Sequence, residues 1–167
     1  MKKLSHVNDA GQVQMVDVTD KDKTVRKATA RGRVIMKSST LQLLEEGRVA
    51  KGNVLTTAKI AGIMAAKKTG ELIPLCHPLV LTGVDIVFEI DRLNSQVIIE
   101  TQVRTVGQTG VEMEALTATS IAALTIYDMC KAVDKEIIIS DIMLLKKSGG
   151  KSGPFTRKLS EKSGDHA

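Results

Sequence analysis

Val84, Ile86, Phe88 and Ile90 alternate with Asp85, Val87 and Glu89, and after a polar turn at residues 91–94 the alternation resumes at Val97, Ile99, Thr101 and Val103. A period of two on either side of a short turn predicts an antiparallel hairpin. On its second strand Ile98, Glu100, Gln102 and Arg104 share the opposite face. The spacing elsewhere is helical. Residues 37–46 carry Leu41, Leu43 and Leu44 and end at Gly47, which predicts a short helix with a glycine stop. Thr56 or Thr57 is placed to cap a second helix running to Lys67, with Ile60, Ile63 and Met64 as its apolar stripe, ending near Gly70. Residues 111–131 are alanine-rich, and Ala115, Ala118, Ala122 and Ile126 are spaced for close helix packing. Residues 137–145 form a β-branched run that reads as a strand buried on both faces, and residues 33–36 read as an early strand.

The resulting order is strand, helices, strand, strand, helix, strand. Two helices on one face of a four-stranded antiparallel sheet, the ferredoxin-like split βαβ arrangement of an α+β protein, bury these elements economically. The sheet's second face is left without a helix, so a homo-oligomer is expected. One catalytic domain at 13–153 is expected between mobile ends at 1–12 and 154–167, with a flexible basic loop at 146–153.

At 167 residues with 43% hydrophobic content, one domain can bury a sizeable core. Two cysteines, Cys76 and Cys130, give no disulfide framework, and no stretch reaches membrane-spanning length, so a soluble, cytoplasmic protein is expected. The net charge of +5 suits an anionic partner. With no Trp, one Tyr and two Phe, the chain lacks the stacking platform of single-strand binders. That counts against the alternative of a non-enzymatic ferredoxin-like RNA-binding module and leaves a membrane surface or a phosphorylated small molecule as the anionic partner.

Four clusters could carry chemistry. Cys76-His77 lies between Pro74 and Pro78, which stiffen the backbone on both sides and make it either a preorganised site or a buried turn. A metal site there is disfavoured because adjacent Cys and His lack ligand spacing. Lys51 precedes Gly52-Asn53 at a helix start, and on its own is an ordinary surface charge. Glu112, Met113 and Glu114 open the long helix, where acids are also favoured by the helix dipole alone. Asp128 and Lys131 stand at that helix's far end as an i,i+3 pair, which is either a surface ion pair or, with partial burial, a proton-exchanging one. Glu114 and Asp128 are roughly 20 Å apart along one straight helix, too far for one small ligand, so a shared site would have to be assembled between subunits. Gly150-Lys151-Ser152 imitates the end of a P-loop, but Leu145 occupies the position of its first glycine.

Taken in order, Met15-Val16-Asp17-Val18 with Lys21, Thr24 and Arg26, Lys51-Gly52-Asn53-Val54-Leu55, residues 61–67, residues 72–79, Glu112-Met113-Glu114-Ala115-Leu116, Tyr127-Asp128-Met129-Cys130-Lys131 and residues 147–153 resemble the molybdenum cofactor biosynthesis protein C family. The resemblance covers essentially the whole folded part, and Pro-Leu-Cys-His-Pro and Glu-Met-Glu-Ala-Leu are specific motifs. It implies a pyrophosphate-releasing lyase, cyclic pyranopterin monophosphate synthase, which rearranges a cyclised dihydro-GTP. Under it Lys51 and Lys131 are acid/base lysines and Asp128 their carboxylate. Leu75, Cys76, His77, Glu112, Met113 and Glu114 hold the ring and ribose, while Arg26, Arg104 and Lys147 neutralise phosphate charge. It implies no required cofactor or protein-held metal, although a divalent cation could accompany the triphosphate. It also implies a hexamer built as a trimer of dimers, with the site between subunits and no nucleic-acid or membrane partner.

Overall fold

The computed structural model describes residues 11–158, so the expectations for 1–10 and 159–167 lie outside the described residues. Nine elements follow in order: β1 Thr24–Ile35, α1 Ser38–Glu45, α2 Val54–Lys67, α3 Thr69–Leu72, β2 Gly83–Asp91, β3 Gln96–Gly107, α4 Glu112–Cys130, β4 Ile138–Ser148 and β5 Phe155–Thr156. The strands make one antiparallel sheet in the order β2-β3-β1-β4-β5. The sheet thus has five strands rather than four. The extra strand falls in the segment expected to be tail, where Phe155 and Thr156 pair with Lys147 and Lys146.

The hairpin forms as its alternation requires, with Ile86 opposite Thr101 and Ile90 opposite Val97. β1 is far longer than residues 33–36 and hydrogen-bonds β3 on one side and β4 on the other. Its even-numbered positions Ala28, Ala30, Gly32 and Val34 are buried, and they face the helices together with Val97, Ile99 and Val103 of β3. Small residues on β1 let α4 settle directly on the sheet. A Cβ added at Gly32 would lie 2.9 Å from Thr119 Cγ2 and 3.2 Å from Ile142 Cγ1.

The helix layer closes in the same way, because Ala118, Ala122 and Ile126 of α4 are fully buried and Gly62 of α2 meets the first two. Asn53, rather than Thr56 or Thr57, caps α2: its side-chain oxygen accepts from the Thr56 N–H at 2.9 Å, satisfying one of the helix's orphan donors. Gly70 does not end the helical segment; one further turn, α3, follows α2 directly. β4 is not buried on both faces as its composition suggests. Ile138 and Ile142 are exposed and only Leu145 is buried, because the helices cover one side of the sheet only.

The uncovered side carries the odd positions of β1 and the even positions of β3. There Val25, Val87 and Val106 are all more than half exposed, Arg33 Nε lies 3.3 Å from Asp141 Oδ2, and Arg104 Nη2 donates to Asp85 Oδ2 at 2.6 Å. No helix among the described residues is long and apolar enough to cross a membrane.

Candidate active site

α4 is the rod along which the candidate residues are arranged. Its first turn carries Glu112, Met113 and Glu114, and the segment after α3 crosses that turn with Leu75, Cys76 and His77; the six together line a cleft of about 510 Å³. Close contact of Gly70 with the backbone of Pro78, where a Cβ would stand 3.1 Å from Pro78 Cα, fixes this segment against α3. The Cys76 N–H donates to Ile73 O at 3.0 Å, closing a turn ahead of the imidazole. His77 Nε2 lies 2.8 Å from Val16 O, so the ring is oriented by the segment before β1, which also lines the cleft through Val16 and Val18.

Two protonation states are set by this packing. Glu114 is 3% exposed, and burial first, with the charge of Glu112 adding to it, pushes its carboxyl up to about 7. Burial first, and Glu114 second, also raises the Cys76 thiol. A neutral thiol is a poor nucleophile and a poor metal ligand. Among the described residues no group of three or more His, Cys, Asp or Glu could hold a metal ion.

Glu114 therefore makes the fold pH-sensitive in a defined direction. Between its usual 4.5 and about 7 the unfolded chain has released a proton that the native state keeps, so stability falls as pH rises through that window and is constant above it. Glu114→Gln is expected to flatten this slope, with a gain over the parent near pH 8 of at most about 3 kcal/mol. Urea midpoints at pH 5 and pH 8 measure it; identical pH slopes in the two proteins would refute the assignment.

A second lobe of about 580 Å³ opens from the first and shares Lys21, Thr109, Gly110, Glu112 and Ser152 with it. Its walls carry the cations Lys21, Arg26, Lys147 and Lys151 together with the acids Asp20, Asp22 and Glu112. Arg26 and Lys147 come from neighbouring strands on the helix-facing side, Lys21 from the loop before β1 and Lys151 from the turn after β4. Lys147 Nζ donates to Glu112 Oε1 at 2.8 Å, which links the lobes. Residues 146–148, expected as loop, are the end of β4, so Lys147 is held by sheet register rather than by a flexible segment.

The remaining cluster is elsewhere. Lys51 Nζ donates to Asp128 Oδ2 at 2.9 Å and to the Asp128 carbonyl at 2.7 Å, while Lys131 Nζ lies 2.6 Å from Asp128 Oδ1. The two lysines, together with their hydrogen bonds to it, hold the carboxyl down to about 2, with Lys131 the larger contributor. In return the Asp128 hydrogen bond raises Lys131. All three side chains are about half exposed, and they stand at the C-terminal end of α4, while the cleft stands at its N-terminal end.

The structure thus gathers Leu75, Cys76, His77, Glu112, Met113, Glu114, Arg26 and Lys147 around one two-lobed cleft and gathers Lys51, Asp128 and Lys131 at a second point. Arg104 joins neither, since its place on β3 turns it to the uncovered face of the sheet. The cleft also takes in Lys21, Thr109, Lys151 and Ser152, to which no role was assigned from sequence. Lys21 carried a signal as part of the motif block around residue 15, and Lys151 and Ser152 as part of the block at 147–153; Thr109 carried none.

The chain matches known proteins over most of its length. The MoaC family model matches residues 15–150. The chain is 58% identical over 156 residues to a protein from Thermoanaerobacter sp. (strain X514), covering 93% of this chain and 99% of that one. It is 59% identical over 161 residues to a protein from Pelotomaculum thermopropionicum, covering 96% and 95%. It is also 59% identical over 155 residues to one from Roseiflexus sp. (strain RS-1), covering 93% and 98%. Each of the three is named cyclic pyranopterin monophosphate synthase. With a family model spanning most of the chain and relatives matched nearly end to end, the protein belongs to the MoaC family.

Proposed function

We propose that this chain is a cyclic pyranopterin monophosphate synthase, a pyrophosphate-releasing lyase of molybdenum cofactor biosynthesis acting on a cyclised dihydro-GTP. The observation that carries the reading is the two-lobed cleft, whose chemistry divides as such a substrate does. The lobe of Leu75, Cys76, His77, Met113 and Glu114 offers apolar surface with hydrogen-bonding groups for the fused ring and ribose. The adjoining lobe of Lys21, Arg26, Lys147 and Lys151 offers cations for a triphosphate. Identity of 58–59% with proteins of that name, matched nearly end to end, supports it.

In this reading Lys51, Asp128 and Lys131 move the protons. Asp128 keeps the Lys131 ammonium charged and aimed, so that it can serve as an acid toward the leaving pyrophosphate or a ring oxygen; burial against substrate would then favour release of its proton. As the cluster and the cleft stand at opposite ends of α4, the cluster of one subunit completes the cleft of another. A hexamer made as a trimer of dimers, with the four long strands as a ferredoxin-like core and β5 appended, provides such a boundary. Arg104, paired with Asp85, would reach a phosphate only across such a boundary. The reading places the enzyme in the cytoplasm and assigns it no resident cofactor; a divalent cation would arrive with the triphosphate.

Incubation of the purified protein with the cyclised dihydro-GTP is expected to release pyrophosphate and yield the cyclic pyranopterin phosphate. Absence of both products would overturn the reading. A ferredoxin-like RNA-binding module would instead show salt-sensitive RNA retention.

A further inference from the structure

Arg26 is an unusual candidate for a phosphate ligand, because its guanidinium is buried and two of its edges already hold backbone carbonyls. The residue is 8% exposed. Its Nε donates to Gly107 O at 3.1 Å and its Nη2 to Gln108 O at 3.2 Å. The other side of the guanidinium lies against the turn that follows β4. A Cβ on Gly149 would come 3.0 Å from Arg26 Cδ and would collide with Val25 O, and a Cβ on Gly150 would collide with Arg26 Nη1. Both glycines have positive φ, +94° and +78°, so the turn uses a conformation and a clearance that only glycine offers together.

We propose that Arg26 is a positioning residue: its guanidinium clamps the 107–110 segment to the 149–152 turn and so fixes the basic lobe around the phosphates. The reasoning rests on the proposed synthase reading for the identity of the ligand, but the clamp itself is a property of the free protein. The two segments it joins carry the lobe's movable groups. Gln108 Nε2 donates to Thr19 O at 3.0 Å, tying the 107–110 segment to the loop that bears Lys21. Gly110 is in contact with the Glu112 carboxylate, the partner of Lys147. The turn itself carries Lys151 and Ser152. A planar fork that spans two carbonyls while lying close against a glycine turn cannot be replaced by an ammonium, which offers one point of attachment.

The test compares Arg26→Lys, which keeps the charge, with Arg26→Ala, and reads two quantities. Hydrogen exchange on the ligand-free proteins at amides 107–110 and 149–152 reports the clamp without any substrate. Pyrophosphate-release kinetics report the lobe. Both variants are expected to lose exchange protection at both segments and to raise KM on the order of tenfold with a smaller change in kcat, since losing hydrogen bonds to a charged group is worth about that factor. Retention of parental KM by Arg26→Lys would overturn the proposal, and so would a raised KM with unchanged exchange, which is the signature of a direct phosphate contact. Altered exchange with unchanged KM would overturn it as well. If the parent protein itself releases no pyrophosphate, the synthase reading fails, while the exchange data still judge the clamp.

Discussion

Lys51→Ala and Lys131→Ala are each expected to lower pyrophosphate release by about two to four orders of magnitude, the range removed with a positioned proton-transfer group. Neither should unfold the protein. Both lysines are about half exposed and both pair with Asp128, so the fold loses surface ion pairs of the kind that contribute little. Asp128→Asn separates two roles of the cluster. Loss of the carboxylate charge weakens the hydrogen bond and removes the attraction that together raise Lys131, so the pH at which the Lys131 proton is lost should move down and the alkaline limb of the pH–rate profile with it. Parallel thermal melts exclude unfolding as the cause. Parental rates in both lysine variants would remove Lys51 and Lys131 from the mechanism.

The largest expected effect on stability lies where α2 crosses α4. A Cβ at Gly62 would lie 2.5 Å from Ile86 Cδ1 and 3.0 Å from the Ala118 carbonyl oxygen, and the second of these is backbone that cannot rotate aside. Gly62→Val adds two further methyl groups to this contact, and should cost about 3 kcal/mol by overpacking even after the gain in helix propensity. For a domain of this size that corresponds to a Tm lowered by about 10 °C. Differential scanning calorimetry measures it, and a Tm within a degree or two of the parent would show that the helices can separate at no cost. Ile86 is buried on β2, so its displacement would also disturb the hairpin on which the helix layer rests.

What could be read from the chain depended on how local the signal was. The β2–β3 hairpin was legible because its register follows from an alternation interrupted by one short turn. β1 was only partly legible: Ala28, Ala30 and Gly32 occupy its helix-facing positions, and these residues have low strand propensity though they suit the close approach of α4. β5 has two residues and no pattern of its own; it exists because the Arg157 N–H donates to Leu145 O at 2.7 Å and Phe155 finds Lys147 opposite. Among site residues, Cys76-His77 and Glu112 to Glu114 are contiguous motifs and could be named directly. The meeting of Lys51 with Asp128 spans 77 positions and is a tertiary fact that no spacing rule gives. Arg104 shows the reverse. Its basic character suited a phosphate, but strand parity already placed it with Glu100 on the face away from the hairpin's apolar positions.

The short β5 strand has an energetic consequence for substrate capture. Because Phe155 and Thr156 return to β4 and the Arg157 side chain donates to Leu144 O at 2.8 Å, residues 149–154 form a loop anchored at both ends. A free tail bearing Lys151 and Ser152 would have to surrender most of its backbone freedom to close on a polyphosphate, at about 1–2 kcal/mol per residue fixed. A tethered loop has surrendered much of that freedom during folding, so more of each new contact is left to appear as affinity.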